Sequence, residues 1–201
     1  MADPGKSPAS RGPYAKGIAR RQEILDRAIE VFARRGSDRT SLRAIAQEVG
    51  VTHGALTHHF GSLEELLVAV YRESESRGDG GPDLDATPVE VLRLWTESNR
   101  EVQGLVQLYS SLVASALEEG HPTARAFATE RFAASRASLA ERVRHNQLSG
   151  SIRTDVDPDA VAALVIAASD GLQTQWLLDP AAPKEAALVL LEQLLAPPPR
   201  E

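Results

Sequence analysis

The sequence has no cysteine. Disulfides, thiolate nucleophiles and cysteine-ligated zinc are therefore excluded. No apolar run reaches the roughly 18 residues that a membrane span needs. The leading "MADPGKSPASRGPYAKG" lacks an apolar stretch and cannot act as a secretory signal. Glycine-rich phosphate loops and H-E-x-x-H are missing, and no Ser/His/Asp arrangement is discernible. The expectation is a cytoplasmic protein that is not an enzyme, with no cofactor, metal or membrane partner. Aromatics are scarce, at 4% of the chain. Lysine and arginine are absent from one stretch in particular, "GVTHGALTHHFGSLEELL", Gly50 to Leu67, which carries three histidines instead.

What is present is an ordinary globular balance of 42% hydrophobic and 25% charged residues in a 201-residue chain. The net charge of −6 is unevenly spread. Residues 1–61 hold 10 Lys/Arg against 6 Asp/Glu, and the rest holds 12 against 22. A front of +4 and a body of −10 suggest that only the front meets a polyanion.

The periodicity is helical throughout, and the fold class expected is all-α with about nine helices. Ile24, Ala28 and Phe32 are four apart, as are Leu25 and Ile29. Arg34 and Arg35 suit a helix C-terminus, and Gly36 a left-handed stop. Thr40 or Ser41 can cap a second helix with Leu42, Ile45, Ala46 and Val49 inward, ended by Gly50. Thr52 can cap a third, in which Leu56 and Phe60 are the buried pair. "SLEE" and "TPVE" are capping boxes at Ser62 and Thr87. "RGDGGPDLDATP" (77–88) reads as a loop. Further helices are expected near 88–99, 101–118, 122–147, 158–178 and 184–195, with Pro122 and Pro158 in first turns and Asp157 as a cap. The organisation expected is a disordered arm (1–15), a front unit (16–61) and a helical body (62–201).

Two short helices about a tight turn, braced by a longer one, describe a helix-turn-helix, whose second helix enters the major groove. At about 100° per residue, Leu56 and Phe60 define the inner face of the segment from 52 to 60, and Gly54 and His58 lie opposite. Thr52 and His53 form its tip, Ala55 and Thr57 flank, and His59 sits at the edge of the buried face. Gly54 and Ala55 allow close backbone approach, while the histidines and threonines can reach base edges or phosphate. Lys16, Arg20, Arg21 and Arg43 supply sequence-independent attraction. The histidines are a poor metal set: their gaps are five and one, against the helical three or four.

The run "ILDRAIEVFARRGSDRTSLRAIAQEVGVTHGALTHHFGSLEELLVAV" resembles the DNA-binding domain of the TetR family of bacterial transcriptional regulators. "DPDAVAALVIAASDGLQTQWLLDP" is similar to the penultimate helix of many members. The resemblance implies a homodimeric repressor, released from a palindromic or near-palindromic double-stranded operator by a small-molecule effector. It places Arg43, Thr52, His53, Gly54 and Ala55 at DNA-contacting positions. Two positions depart from it: Thr57 stands where members usually have a phosphate-contacting tyrosine, and Leu63 where they have a lysine. It also implies dimerisation through the last two helices. Val161, Leu164, Val165, Ala168, Leu172 and Gln175 line one side of the first, and Ala187, Leu190, Leu191 and Leu194 (with Leu195) line the second. Trp95, Tyr109, Phe127, Phe132 and Trp176 are the large aromatics read in the body. Trp95, Tyr109, Phe127 and Trp176, with Asn99, Gln103, Gln173 and Asp170, are candidate walls of an effector pocket. Asp170, in an apolar stretch, demands a hydrogen-bond partner, a proton or a cationic ligand. A small helical enzyme and a protein-interaction module of the same fold remain as other readings.

Overall fold

The four-residue spacing of Ile24, Ala28 and Phe32 does what it predicts: all three are fully buried, on one side of a long first helix. The computed structural model describes residues 13–35, 42–77 and 82–198; the side chains of 13–15, 34, 35, 42, 44 and 98–101 lie outside the description. The readings made for Gly36, Thr40, Ser41, the side chains of Arg34, Arg35 and Asn99, and most of the arm fall outside the described residues. Among these residues there are nine helices and no strand.

They are α1 (Pro13–Arg35), α2 (Leu42–Val49), α3 (His53–Phe60), α4 (Leu63–Ser76), α5 (Pro88–Glu101), α6 (Gln103–Ala116), α7 (Pro122–Ser149), α8 (Pro158–Leu178) and α9 (Lys184–Leu195). Helix α1 starts inside the segment expected to be arm. Pro13 suits a first turn, where its missing N–H has no intrahelical partner to lose. The caps are those read in the sequence. Thr52 Oγ1 accepts from Ala55 N (3.1 Å), Ser62 Oγ from Glu65 N (3.1 Å) and Asp157 Oδ1 from Ala160 N (2.8 Å). Thr87 and Glu90 cap each other reciprocally, at 2.6 and 3.2 Å.

Two apolar cores result, and their border does not follow residue 61. The first joins α1, α2 and α3 to α4, α6 and the front of α7, through Phe32, Leu56, Leu66, Leu108 and Phe127. The second joins α5, the rear of α7, α8 and α9, through Val89, Val143, Ile152, Val165 and Leu188. The long α7 runs through both. The loop before α5 is fastened to α7 by two buried polar side chains. The Arg142 guanidinium donates to the carbonyls of Pro82 (2.8 Å), Asp83 and Ala86 (2.9 Å). Asn146 Nδ2 donates to the carbonyl of Leu84 (3.1 Å).

Helix α8 is long and apolar enough, by length and composition, to cross a membrane. The expectation that no segment reaches that threshold is corrected on this point. Asp159 and Asp170 interrupt the run, but the average over the helix absorbs them.

Candidate nucleic-acid interface

Leu56 and Phe60 anchor α3 from inside, at 0 and 4% exposure. That anchoring turns His53, Gly54, Thr57 and His58 outward, all exposed. Ala55 and His59 lie half-buried at the flanks. The turn ahead of α3 is shaped by Gly50, whose φ of 74° favours glycine. A Cβ there would also meet Arg27 Nη1 at 3.3 Å. That guanidinium donates to the Val49 carbonyl (2.9 Å) and pairs with Glu23 (2.9 Å), so α1 holds the end of α2. Arg21 lies over the Phe60 ring, 4.8 Å from its centroid. The α3 helix is thus gripped on its apolar side only, and one whole face is left for something else.

Basic residues lie on the two helices that precede it. Lys16 and Arg43 are exposed, and Arg20 pairs with Glu23 at 2.5 Å. His59 lies near Arg20 and Arg21. Partial burial, then His58 and the two arginines, hold its imidazole below the usual histidine range. Its ring meets His58 and Phe60 edge-on, at 5.3 and 6.4 Å between centroids. Thr57 is exposed, but its hydroxyl donates to the His53 carbonyl (3.1 Å). Leu63 is half-buried against the first core, so its position serves packing.

The α4 helix ties this head to the body at both of its ends. At its start, the Glu64 carboxylate takes His121 Nδ1 (2.8 Å) and Thr123 N (3.1 Å), from the turn between α6 and α7. At its end, Arg77 pairs with Asp26 and Glu73, and Gln22 donates to Glu73 (2.7 Å).

In the body, three of the proposed pocket residues come together. Tyr109 Oη donates to both oxygens of Asp170, at 3.2 and 3.3 Å. The Tyr109 ring stacks on Tyr71 (5.3 Å), which meets Phe127 edge-on (5.6 Å). The Arg131 guanidinium covers both tyrosines, at 5.2 and 4.9 Å, and pairs with Glu75. Burial pushes the Tyr109 hydroxyl up to about 12, with Asp170 adding to it, and raises Tyr71 further. Burial also raises the Asp170 carboxyl. Four helices, α4, α6, α7 and α8, meet in this cluster. Sequence reasoning missed Tyr71, Glu75 and Arg131, which sit on ordinary amphipathic patterns with nothing in their spacing to mark them.

Trp95 is 44% exposed and Gln103 is exposed. Gln173 is half-buried, and Trp176 lies under Lys184 Nζ, 5.0 Å from its ring centre. Two open clefts occur elsewhere. One of about 310 Å³ is lined by Val113, Leu117, Ala128 and Phe132, and one of about 240 Å³ by Glu118, His121 and Arg125. Of the large aromatics read in the body, Phe132 lines the larger cleft.

On α8 and α9 the residues read as an interface divide between two faces. Val161, Val165 and Leu191 are buried in the chain's own second core, and Leu172 and Ala168 pack beside it. Leu164, Leu190 and Leu194 stay 52, 55 and 57% exposed, and Gln175 also faces out. Ala187 is half-buried.

The model for bacterial regulatory proteins of the tetR family matches residues 24–70, and that for the C-terminal part of BetI-type transcriptional repressors matches residues 91–196. The chain belongs to the TetR family. It is a helix-turn-helix regulator of transcription that binds DNA. It is 29% identical to the HTH-type transcriptional repressor Rv1474c of Mycobacterium tuberculosis over 77% of this chain and 80% of that one. It is 30% identical to the multidrug binding protein EbrR, crystallised with imidazole, at a TM-score of 0.62 over 90% of this chain and 93% of that one. A TetR-family regulator from Rhodococcus shares the fold at 24% identity and a TM-score of 0.70, covering 88% of this chain and 98% of that one.

Proposed function

We propose that this TetR-family regulator is a homodimeric, cytoplasmic repressor released from a palindromic or near-palindromic operator by a small-molecule effector. It acts by binding, not by catalysis. The observation that carries the DNA reading is α3, anchored by Leu56 and Phe60 and offering His53, Gly54, Thr57 and His58 to solvent. Lys16, Arg20 and Arg43 flank it as phosphate contacts. Dimerisation is supported by the outer face of the last two helices, where Leu164, Leu178, Val189, Leu190 and Leu194 are all exposed. Two copies joined there hold two α3 helices for half-sites about 34 Å apart.

Effector control is supported by the cluster of Tyr71, Tyr109, Arg131 and Asp170, because Tyr71 and Glu75 belong to α4. A ligand that rearranges this cluster moves the helix on which α3 rests. It shifts the equilibrium only so far as it binds the two arrangements unequally. The likeness to a multidrug binding protein agrees with such a site. The test is a gel shift on DNA from upstream of the protein's own gene, at rising salt. A retarded band whose affinity falls log-linearly with salt is expected. Absence of any band at low salt overturns the reading in favour of a protein-interaction module.

A further inference from the structure

The outward face of α3 has an unusual ionic composition. Helix α3 reads HGALTHHF, and its only ionisable side chains are histidines. His53 and His58 are exposed, and among the described residues neither forms an ion pair or a side-chain hydrogen bond. Their one polar tie is local: the His53 carbonyl accepts from Thr57. The His58 ring meets the His59 ring edge-on. Histidine is the side chain whose charge ordinarily changes between about pH 5 and 8. Helix α3 therefore carries no lysine, arginine or carboxylate of its own.

The charged groups on the elements packed around α3 leave this free to operate. Helix α1 presents Arg20 and Arg21, which lie near His59, and Arg20 is paired with Glu23. Helix α2 presents Arg43 and Glu48, both exposed. Helix α4 presents Glu64 and Glu65. Glu64 is occupied by His121 and the Thr123 amide, and the Glu65 carboxylate lies against Gly61. No carboxylate among the described residues pairs with either outward histidine. His59 is half-buried beside two arginines and resists protonation.

Resting on the DNA-binding reading, we infer that His53 and His58 make DNA affinity proton-linked, with tighter binding as pH falls. Neutral imidazole offers one donor and one acceptor and carries no charge. Each proton taken up makes both ring nitrogens donors and adds a cation facing the phosphates. The DNA then binds the protonated form more tightly, and by linkage it draws protons onto α3. An imidazole whose pKa the DNA raises by one unit contributes about tenfold to affinity across its titration. With lysine in these positions the charge would be constant and the affinity nearly flat over the same range.

The test uses the full chain and a duplex that it selects from a randomised pool. Dissociation constants are measured by fluorescence anisotropy at about pH 6 and about pH 8, at one low salt concentration. The parent protein is expected to bind at least about tenfold more tightly at the lower pH. For the double variant His53→Gln, His58→Gln the ratio between the two pH values is expected to fall near unity, whatever its absolute affinity. His59, His121 and His145 remain in that variant and control for other titrating groups. A parent with equal affinity at both pH values overturns the inference while leaving the DNA-binding reading intact. So does a double variant that keeps the parent's ratio. A folded parent that selects no duplex at either pH overturns both. Should the double variant bind too weakly to measure, NMR titration of the parent's imidazole ring protons replaces it. Protons gained by His53 or His58 on complex formation support the inference, and their absence overturns it.

Discussion

A single side chain shows best how burial acts on chemistry in this protein. Asp170 lies in the otherwise apolar middle of α8 and accepts from the Tyr109 hydroxyl. Burial raises its pKa, with Tyr109 and Arg131 opposing part of the shift. The folded chain thus holds this proton more tightly than the unfolded chain does. The stability this contributes is complete below the unfolded value of about 4 and is lost as pH rises through the folded value. Asp170→Asn has no such dependence and keeps an acceptor for Tyr109. Its melting temperature is expected to gain on the parent's as pH rises from about 4 to about 7. Thermal melts at the two pH values check this; a constant difference would mean that the Asp170 pKa is the same in the folded and the unfolded chain. That Asp170 needed a partner was legible in the sequence, since a lone carboxyl on an apolar helix is costly. That the partner is Tyr109, 61 positions away in the chain, was not.

At the scale of the element, caps and periodicity carry most of the information. Ser62, Thr52, Thr87 and Asp157 start their helices as their side chains allow, because a cap bond spans only three residues. The turn from α2 to α3 shows the same locality and a tertiary addition. Gly50 has a φ of 74°, and an added Cβ would lie 3.3 Å from Arg27 Nη1. Gly50→Ala is therefore expected to cost about 1–3 kcal/mol in backbone strain. Urea denaturation reads this as a lower midpoint, and an unchanged midpoint would show that the turn relaxes freely. Where element reading fell short, on α8 and α9, the reason is geometric. Both helices are apolar on more than one face, so periodicity cannot say which leucines meet the chain's own core. Leu191 and Val165 went inward, and Leu190 and Leu164 stayed out.

At the scale of the whole molecule, the outer face of α8 and α9 leaves several large apolar side chains exposed. Leu190 and Leu194 are 55 and 57% exposed, so replacing both with glutamate leaves the monomer's core untouched. Light scattering is expected to find Leu190→Glu, Leu194→Glu as single chains, with an unchanged melt of the helices. Losing the second recognition helix removes the gain of joined sites, and operator affinity is expected to fall by about a hundredfold. A double variant that remains dimeric would place the interface elsewhere. The two cores add a mechanical consequence. Because α3 shares a core with α4, α6 and α7, a change at Tyr71 on α4 is felt by the head as a packed body.

The residues alone determined the helices, their caps, the inward Leu56 and Phe60 and the outward histidines. All of these follow from bonds and spacings confined to a few neighbouring positions. Tertiary structure decided the rest. It merged the head and the body's front into one core, brought Tyr71, Tyr109, Arg131 and Asp170 together, and chose which leucines of α8 and α9 to bury. Those outcomes depend on which helix packs against which. Packing is a competition among distant apolar faces of similar strength, and no local pattern records its result.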